Sequence, residues 1–188
     1  GIVVIAHGFG GGGHNSYMDV ANYFASNGYY VFAYDVTGCD KSEGEGVGGV
    51  PQGVIDLDHA ISFVEDNNEI PELPIMLFGH SWGGYCVCNV LNYHPEVKAV
   101  IECSGFNSSS DMFESGGKSQ AGNVIYVMTP FIKIHERFKY GKYASNTAMD
   151  GVENTEASIL VLNSADDNVI GIEYGYDKYY GKYKDDPR

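Results

Sequence analysis

Positive charge is scarce in this sequence. Eleven lysines and arginines stand against 25 aspartates and glutamates, a formal net charge of −14. A nucleic-acid binder needs a basic stripe to meet phosphates, and none is visible, so no such partner is expected. Long apolar runs are missing too. None approaches the roughly 18 residues that would span a bilayer, so no transmembrane segment is expected. No signal peptide is visible, and residue 1 already reads as strand, so the chain is expected to be incomplete at both ends. Only four cysteines are present: Cys39, Cys86, Cys88 and Cys103. They show no zinc spacing, because Cys86 and Cys88 form a CxC whose side chains diverge on a helix. Three of them sit in apolar segments, which reads as reduced, buried cysteine and favours a cytoplasmic location. No metal cluster is apparent, and the acidic pair Asp56 and Asp58 reads as a solvated helix face.

What remains is the composition of one folded domain. Hydrophobic residues make up 44% and charged residues 19%, and 188 residues suffice for one substantial core but not two. Apolar strands alternate with amphipathic helices. "GIVVIAH", "YYVFAYD", "PIMLFG", "VKAVIECSG" and "ASILVLNSADD" read as strands. "SYMDVANYFASNG", "PQGVIDLDHAISFVEDN" and "WGGYCVCNVLNYH" read as helices, the second opened by Pro51, and another is expected from about Ile170. Continuous apolar strands separated by helices predict an α/β fold, a mostly parallel sheet with helices on both faces. Residues 1–188 are read as a single domain. Residues 106–156 are too long for a simple crossover and read as a lid or cap insertion before the last strand, or as a crossover helix with a long approach.

The opening "VVIAHGFGGGGHNSY" admits two chemistries. Gly8, Gly10 and Gly13 make G-x-G-x-x-G between a strand and a helix, and Asp35 ends the next strand. That pattern can cradle a dinucleotide pyrophosphate. Even the Tyr-x-x-x-Lys of a short-chain dehydrogenase is found, as Tyr174 and Lys178, although 15 tyrosines make that pair cheap. The competing reading uses one backbone N–H of the loop to hold an oxyanion. It turns on "LFGHSWGGY", where Gly79, Ser81 and Gly83 form G-x-S-x-G between an apolar strand and a helix. A serine there sits on a sharp turn with its Oγ exposed. Flanking glycines let strand and helix approach, and the first helical turn aims an N–H and its dipole at developing negative charge.

"HGFGG", "DVTGCDKSEG", "GHSWGG" and "DDNVI" occur in this order. Together they resemble the α/β-hydrolase superfamily, in particular its lysophospholipase, monoglyceride-lipase and cinnamoyl-esterase-like group, over most of the chain. The resemblance implies a serine hydrolase that cleaves a small-molecule carboxylic ester, acyl-glycerol, lysophospholipid or aryl ester, through an acyl-enzyme and without a cofactor. It implies Ser81 as nucleophile, the backbone N–H groups of Phe9 and Trp82 as oxyanion donors, and Asp167 as the acid, with Asp166 the alternative. His80, one residue before the nucleophile, is expected to point away from the site. A serine rather than an aspartate at 81 speaks against dehalogenase or epoxide-hydrolase chemistry, whereas ester, thioester and amide substrates stay open.

One feature departs from the pattern. The base that activates serine should be a histidine after the acid, yet the six histidines, His7, His14, His59, His80, His94 and His135, all precede Asp167. Either the histidine lies beyond Arg188, or His135 of the insertion serves, or the chain is a non-catalytic binding member of the fold. In the insertion, Met128, Phe131 and Phe138 are expected either to line an acyl or aromatic pocket or to pack on the sheet. No oligomeric state follows from the sequence.

Overall fold

The computed structural model describes residues 1–187; the side chains of His14 and Ser119 lie outside the description. Five strands, β1 (Ile2–Ala6), β2 (Tyr30–Ala33), β3 (Ile75–His80), β4 (Ala99–Cys103) and β5 (Ser158–Leu162), form one parallel sheet in the order β2-β1-β3-β4-β5. Among the described residues eight α-helices connect and cover it: α1 (Gly13–Ser16), α2 (Met18–Ser26), α3 (Gln52–Asp66), α4 (Trp82–Asn89), α5 (Ser109–Ala121), α6 (Val124–Tyr140), α7 (Ala148–Glu153) and α8 (Tyr176–Tyr183).

Burial follows position in the sheet. Every residue of the inner strand β1 is buried, as a strand covered on both faces requires. In β3, Ile75, Leu77 and Gly79 are buried while Met76 and Phe78 are half-buried. The first set faces α4, whose eight residues are all buried. The second faces α2, where Phe24 packs its ring edge against Phe78 at 6.4 Å. Helices α3 and α7 flank α4. The α7 contact is close enough that a Cβ on Gly151 would meet the Cys88 carbonyl oxygen at 2.0 Å. The core thus sits between β1, β3, β4 and the α3–α4–α7 layer. At the far side β5 pairs only with β4 among the described residues, and Leu160 and Leu162 are half exposed.

The long segment 106–156 divides in two. Helices α5 and α6 pack on each other, with Ile125 against Gly117. Helix α7 is instead held on the body of the fold, where Asn107 receives the N–H groups of Ala148 and Met149. Thr147 opens α7 with a capping box, its side chain bonding Asp150 N–H while the Asp150 carboxylate accepts from Thr147 N–H.

Candidate active site

The turn between β3 and α4 places Ser81. Its backbone lies at φ 55°, ψ −116°, a region that ordinary side chains enter only under strain. The elbow is closed by the flanking glycines. A Cβ on Gly83 would stand 2.0 Å from the Ala6 carbonyl oxygen, and one on Gly79 would be 2.2 Å from that of Gly83. Ser81 N–H is fastened to the Cys103 carbonyl at 2.8 Å. Trp82 opens α4, where first-turn N–H groups lack intrahelical partners and carry the positive end of the dipole. Its indole is buried and donates from Nε1 to the Val50 carbonyl at 2.8 Å.

The glycine loop after β1 lies beside this turn, and the Phe9 ring rests on the Trp82 ring at 5.6 Å. Four amides of the loop are already taken. Gly8 N–H donates to Tyr17 Oη at 2.9 Å, Gly11 to the Gly8 carbonyl at 3.2 Å, Gly12 to Ser16 Oγ at 3.4 Å and Gly13 to Asp35 Oδ1 at 2.8 Å. A pyrophosphate would have to displace these bonds and face the Asp35 carboxylate, so Gly8, Gly10 and Gly13 do not form a phosphate cradle. The Tyr174–Lys178 pair is also accounted for otherwise, since Lys178 Nζ forms an ion pair with Asp111 at 2.7 Å. Phe9 N–H, in contrast, has no partner among the described residues.

Asp167 follows β5 in a tight turn. Its Oδ1 accepts the N–H groups of Val169 and Ile170 at 2.9 and 3.0 Å, while Oδ2 has no partner among the described residues. Asp166 is exposed, and its own N–H bonds Ser164 Oγ at 3.3 Å. The pairings His80↔Cys103 and Cys103↔Leu162 put Ser81 and the Asp167 turn at the same end of the sheet. Two strand spacings, about 10 Å, separate their strands.

Three of the histidines, His7, His80 and His94, are hydrogen-bonded elsewhere. His7 is buried between the Gly8 carbonyl, 2.8 Å from Nδ1, and Val36 N–H, 2.9 Å from Nε2. His80 projects from the α2 face, with Tyr17 Oη at 2.8 Å from Nδ1. His59 and His135 are exposed on α3 and α6. His94 lies beyond the other end of the sheet, and the side chain of His14 is outside the description. Of the side chains expected near a pocket, Phe131 borders a cavity of about 370 Å³ with Phe113, Ile132, Gly48 and the alternative base His135. Met128 and Phe138 are 50% and 86% exposed. They do not pack on the sheet.

Three arrangements escaped the sequence reading. Tyr17 links Gly8 of the loop to His80 of β3, and the only signal was its place at the end of the glycine run. Glu102 lies buried under α4 with Oε1 accepting Gly105 N–H; burial pushes its carboxyl up to about 7, against that hydrogen bond. The third is a correction. Asp56 and Asp58 are not solvated: Asp56 accepts Thr37 N–H at 2.7 Å and Gln52 Nε2 at 2.8 Å, and Asp58 holds His94 Nε2 at 2.7 Å and the Tyr143 hydroxyl. Burial raises the Asp58 carboxyl, but its two hydrogen bonds outweigh that and leave it below the ordinary carboxylate range. Glu65, His94 and Glu96 bring potential metal-ligand atoms within 4.8 Å of one another, away from Ser81. His94 Nδ1 already meets Glu96 there at 3.0 Å, so the cluster reads as a clamped imidazole.

Comparison with known proteins agrees with this geometry. Residues 1–147 match the hydrolase family described as serine aminopeptidase, S33. Among solved structures the chain is similar to an esterase of Pyrococcus furiosus, with 18% identity and a TM-score of 0.70 over 97% of this chain and 68% of that one. It is also similar to acetyl xylan esterase 1 of Thermoanaerobacterium sp., with 19% identity and a TM-score of 0.66 over 95% and 64%. A third likeness is to Est1E of Butyrivibrio proteoclasticus with ferulic acid bound, at 16% identity and a TM-score of 0.65 over 92% and 72%. At these identities the likeness establishes the fold. No curated protein sequence matches the chain.

Proposed function

The chain belongs to the S33 serine aminopeptidase family of α/β-hydrolases, and from that premise we propose that it is a serine hydrolase acting on carboxylic esters. The observation that carries this reading is Ser81 at φ 55°, ψ −116° on a strand–helix turn, a strained conformation maintained by glycines on either side.

In this mechanism Ser81 Oγ attacks the ester carbonyl carbon while a base accepts its proton. The tetrahedral oxyanion is held by the N–H groups of Phe9 and Trp82, each worth on the order of 100-fold or more in kcat. The base then protonates the departing alcohol, leaving an acyl-enzyme on Ser81. Water, deprotonated by the same base, releases the acid and restores the serine. Asp167 orients the base through Oδ2 and stabilises the cation formed when the base takes the serine proton. The base is a histidine: the family pattern places it after the acid, and within this chain His135, which borders the Phe131 cavity, is the alternative. Met128, Phe131 and Phe138 are the candidates for contact with an acyl group, Phe131 bordering the Phe113 cavity. An ester is favoured over an amide on the analogy of the esterases that share the fold.

Intact-protein mass with a fluorophosphonate probe tests the mechanism on the product of the whole gene and on residues 1–188. One adduct on the former, abolished by Ser81→Ala, is expected. Failure of the whole product to label would sink the mechanism and favour a binding protein in a hydrolase fold. Parallel assays with a p-nitrophenyl ester and an aminoacyl p-nitroanilide separate esterase from peptidase activity, and the ester is expected to be the better substrate.

A further inference from the structure

An oxyanion hole works only if its two donors converge on one oxygen, each about 3 Å from it. Here the two donors belong to segments of unequal stiffness. Trp82 N–H is part of the elbow, where Gly79 and Gly83 pack on backbone and Ser81 N–H is fastened to Cys103. Phe9 N–H is part of a run in which five of the six residues from 8 to 13 are glycine, the residue with the most backbone freedom. Phe9 is itself 60% exposed, and a Cβ on Gly10 would meet nothing within 4 Å.

Two sets of contacts hold this loop. The Gly8 carbonyl lies 2.8 Å from His7 Nδ1 and accepts Gly11 N–H at 3.2 Å. In a trans peptide that carbonyl and Phe9 N–H point in opposite directions, so these contacts fix the direction in which Phe9 donates. Tyr17 governs the distance from the elbow. Its Oη accepts Gly8 N–H at 2.9 Å and lies 2.8 Å from Nδ1 of His80, the residue before Ser81. With Gly8 donating to Oη, the hydroxyl proton is free for His80. Burial raises the Tyr17 phenol, against the effect of the Gly8 bond, so that proton is retained at neutral pH. Loop and elbow touch at this same place: a Cβ on Gly8 would lie 3.2 Å from His80 Nδ1 and 3.3 Å from the His80 carbonyl oxygen. The Tyr17 ring is seated edge-on against Phe78 of β3, with centroids 6.3 Å apart.

We propose that Tyr17 is a positioning residue of the serine hydrolase, an inference that rests on that reading of the chain. Its hydroxyl ties the glycine loop to the nucleophile elbow and so sets the separation between Phe9 N–H and Trp82 N–H. It acts through Gly8 and His80 rather than on the ester. Without the hydroxyl, Gly8 N–H loses its acceptor and the loop no longer has one fixed distance from the elbow. A donor displaced by about 1 Å stabilises the transition state much less, while binding of the uncharged ester hardly changes. The loss therefore falls on kcat and not on KM.

The test compares the product of the whole gene with its Tyr17→Phe variant, which keeps the ring against Phe78. On a p-nitrophenyl ester, kcat is expected to fall about tenfold or more, with KM changed by less than about twofold. A trifluoromethyl ketone, whose adduct carries the oxyanion, should bind more weakly by the same factor as kcat/KM. His80→Ala should show the same loss. His80→Asn, whose amide offers an acceptor as far from Cβ as Nδ1 is, should restore most of it. Tyr17→Phe combined with His80→Ala should cost no more than either alone. Amide exchange followed by NMR reads the tie without any activity: Gly8 N–H should exchange faster in Tyr17→Phe, with circular dichroism unchanged. Equal kcat in the two proteins, a loss confined to KM, or equal Gly8 exchange overturns the positioning role and leaves the hydrolase reading standing. A whole product that neither turns over ester nor labels at Ser81 overturns the hydrolase reading, and the positioning role with it.

Discussion

Across the turn that bears Ser81, the α-carbon of Gly79 faces the carbonyl of Gly83 so closely that an added methyl group would lie 2.2 Å from its oxygen. Strand β3 and helix α4 therefore approach without any intervening side chain. Gly83 repeats the relationship one layer further, against the Ala6 carbonyl of β1. Since both neighbours are backbone, neither can yield without moving the sheet. Gly79→Ala and Gly83→Ala are expected to cost more than about 4 kcal/mol each, or to prevent soluble folding. Urea unfolding of the purified variants measures this, and a cost below about 1 kcal/mol would show the elbow to be looser than described.

Ser81 stores strain that glycine would release. Ser81→Gly is expected to raise stability by roughly 1 kcal/mol, net of glycine's greater freedom in the unfolded chain. It should at the same time abolish covalent labelling. Thermal unfolding beside probe labelling gives both readouts.

The two aspartates after β5 are separable. Asp167→Asn keeps an oxygen for the Val169 and Ile170 amides but removes the charge, and kcat is expected to fall by about 1,000-fold or more with little loss of stability. Asp166→Asn should change kcat less than about threefold. Equal losses, or the reverse order, would move the acid to Asp166.

Glu102 makes stability fall as pH rises. Its folded-state carboxyl is raised to about 7 from an ordinary 4.5, so between those values the folded state binds the extra proton. Stability then declines from about pH 4.5 to 7 and stays reduced above it, by up to roughly 3 kcal/mol. Glu102→Gln should abolish that contribution and raise the melting temperature at pH 8 more than at pH 5. Identical shifts at both pH values would contradict the assignment.

How much was legible depended on whether the deciding contacts were local. The elbow was legible because Gly79, Ser81 and Gly83 are neighbours in sequence, and a strand–turn–helix pattern specifies their backbone. The parallel sheet was legible from continuous apolar strands. The burial of Asp58 was not, because its partners His94 and Tyr143 lie 36 and 85 residues away. The segment 106–156 read as one insertion, although the structure ties α7 to Asn107 and lays it on α4. Nothing in its periodicity marks that division.

The sequence by itself determined the alternation of strands and helices, the glycine-flanked serine and the aspartate turn, since each rests on backbone preferences set within a few residues. Only the tertiary structure decided which loop amides remain free. Tyr17 and Asp35 reach Gly8 and Gly13 only after the chain has folded back on itself. It also decided which apolar face of α6 is turned to solvent. An amphipathic period tells a helix that it has faces, but the packing of α5 and the loop at Gly48 selects the one that is covered.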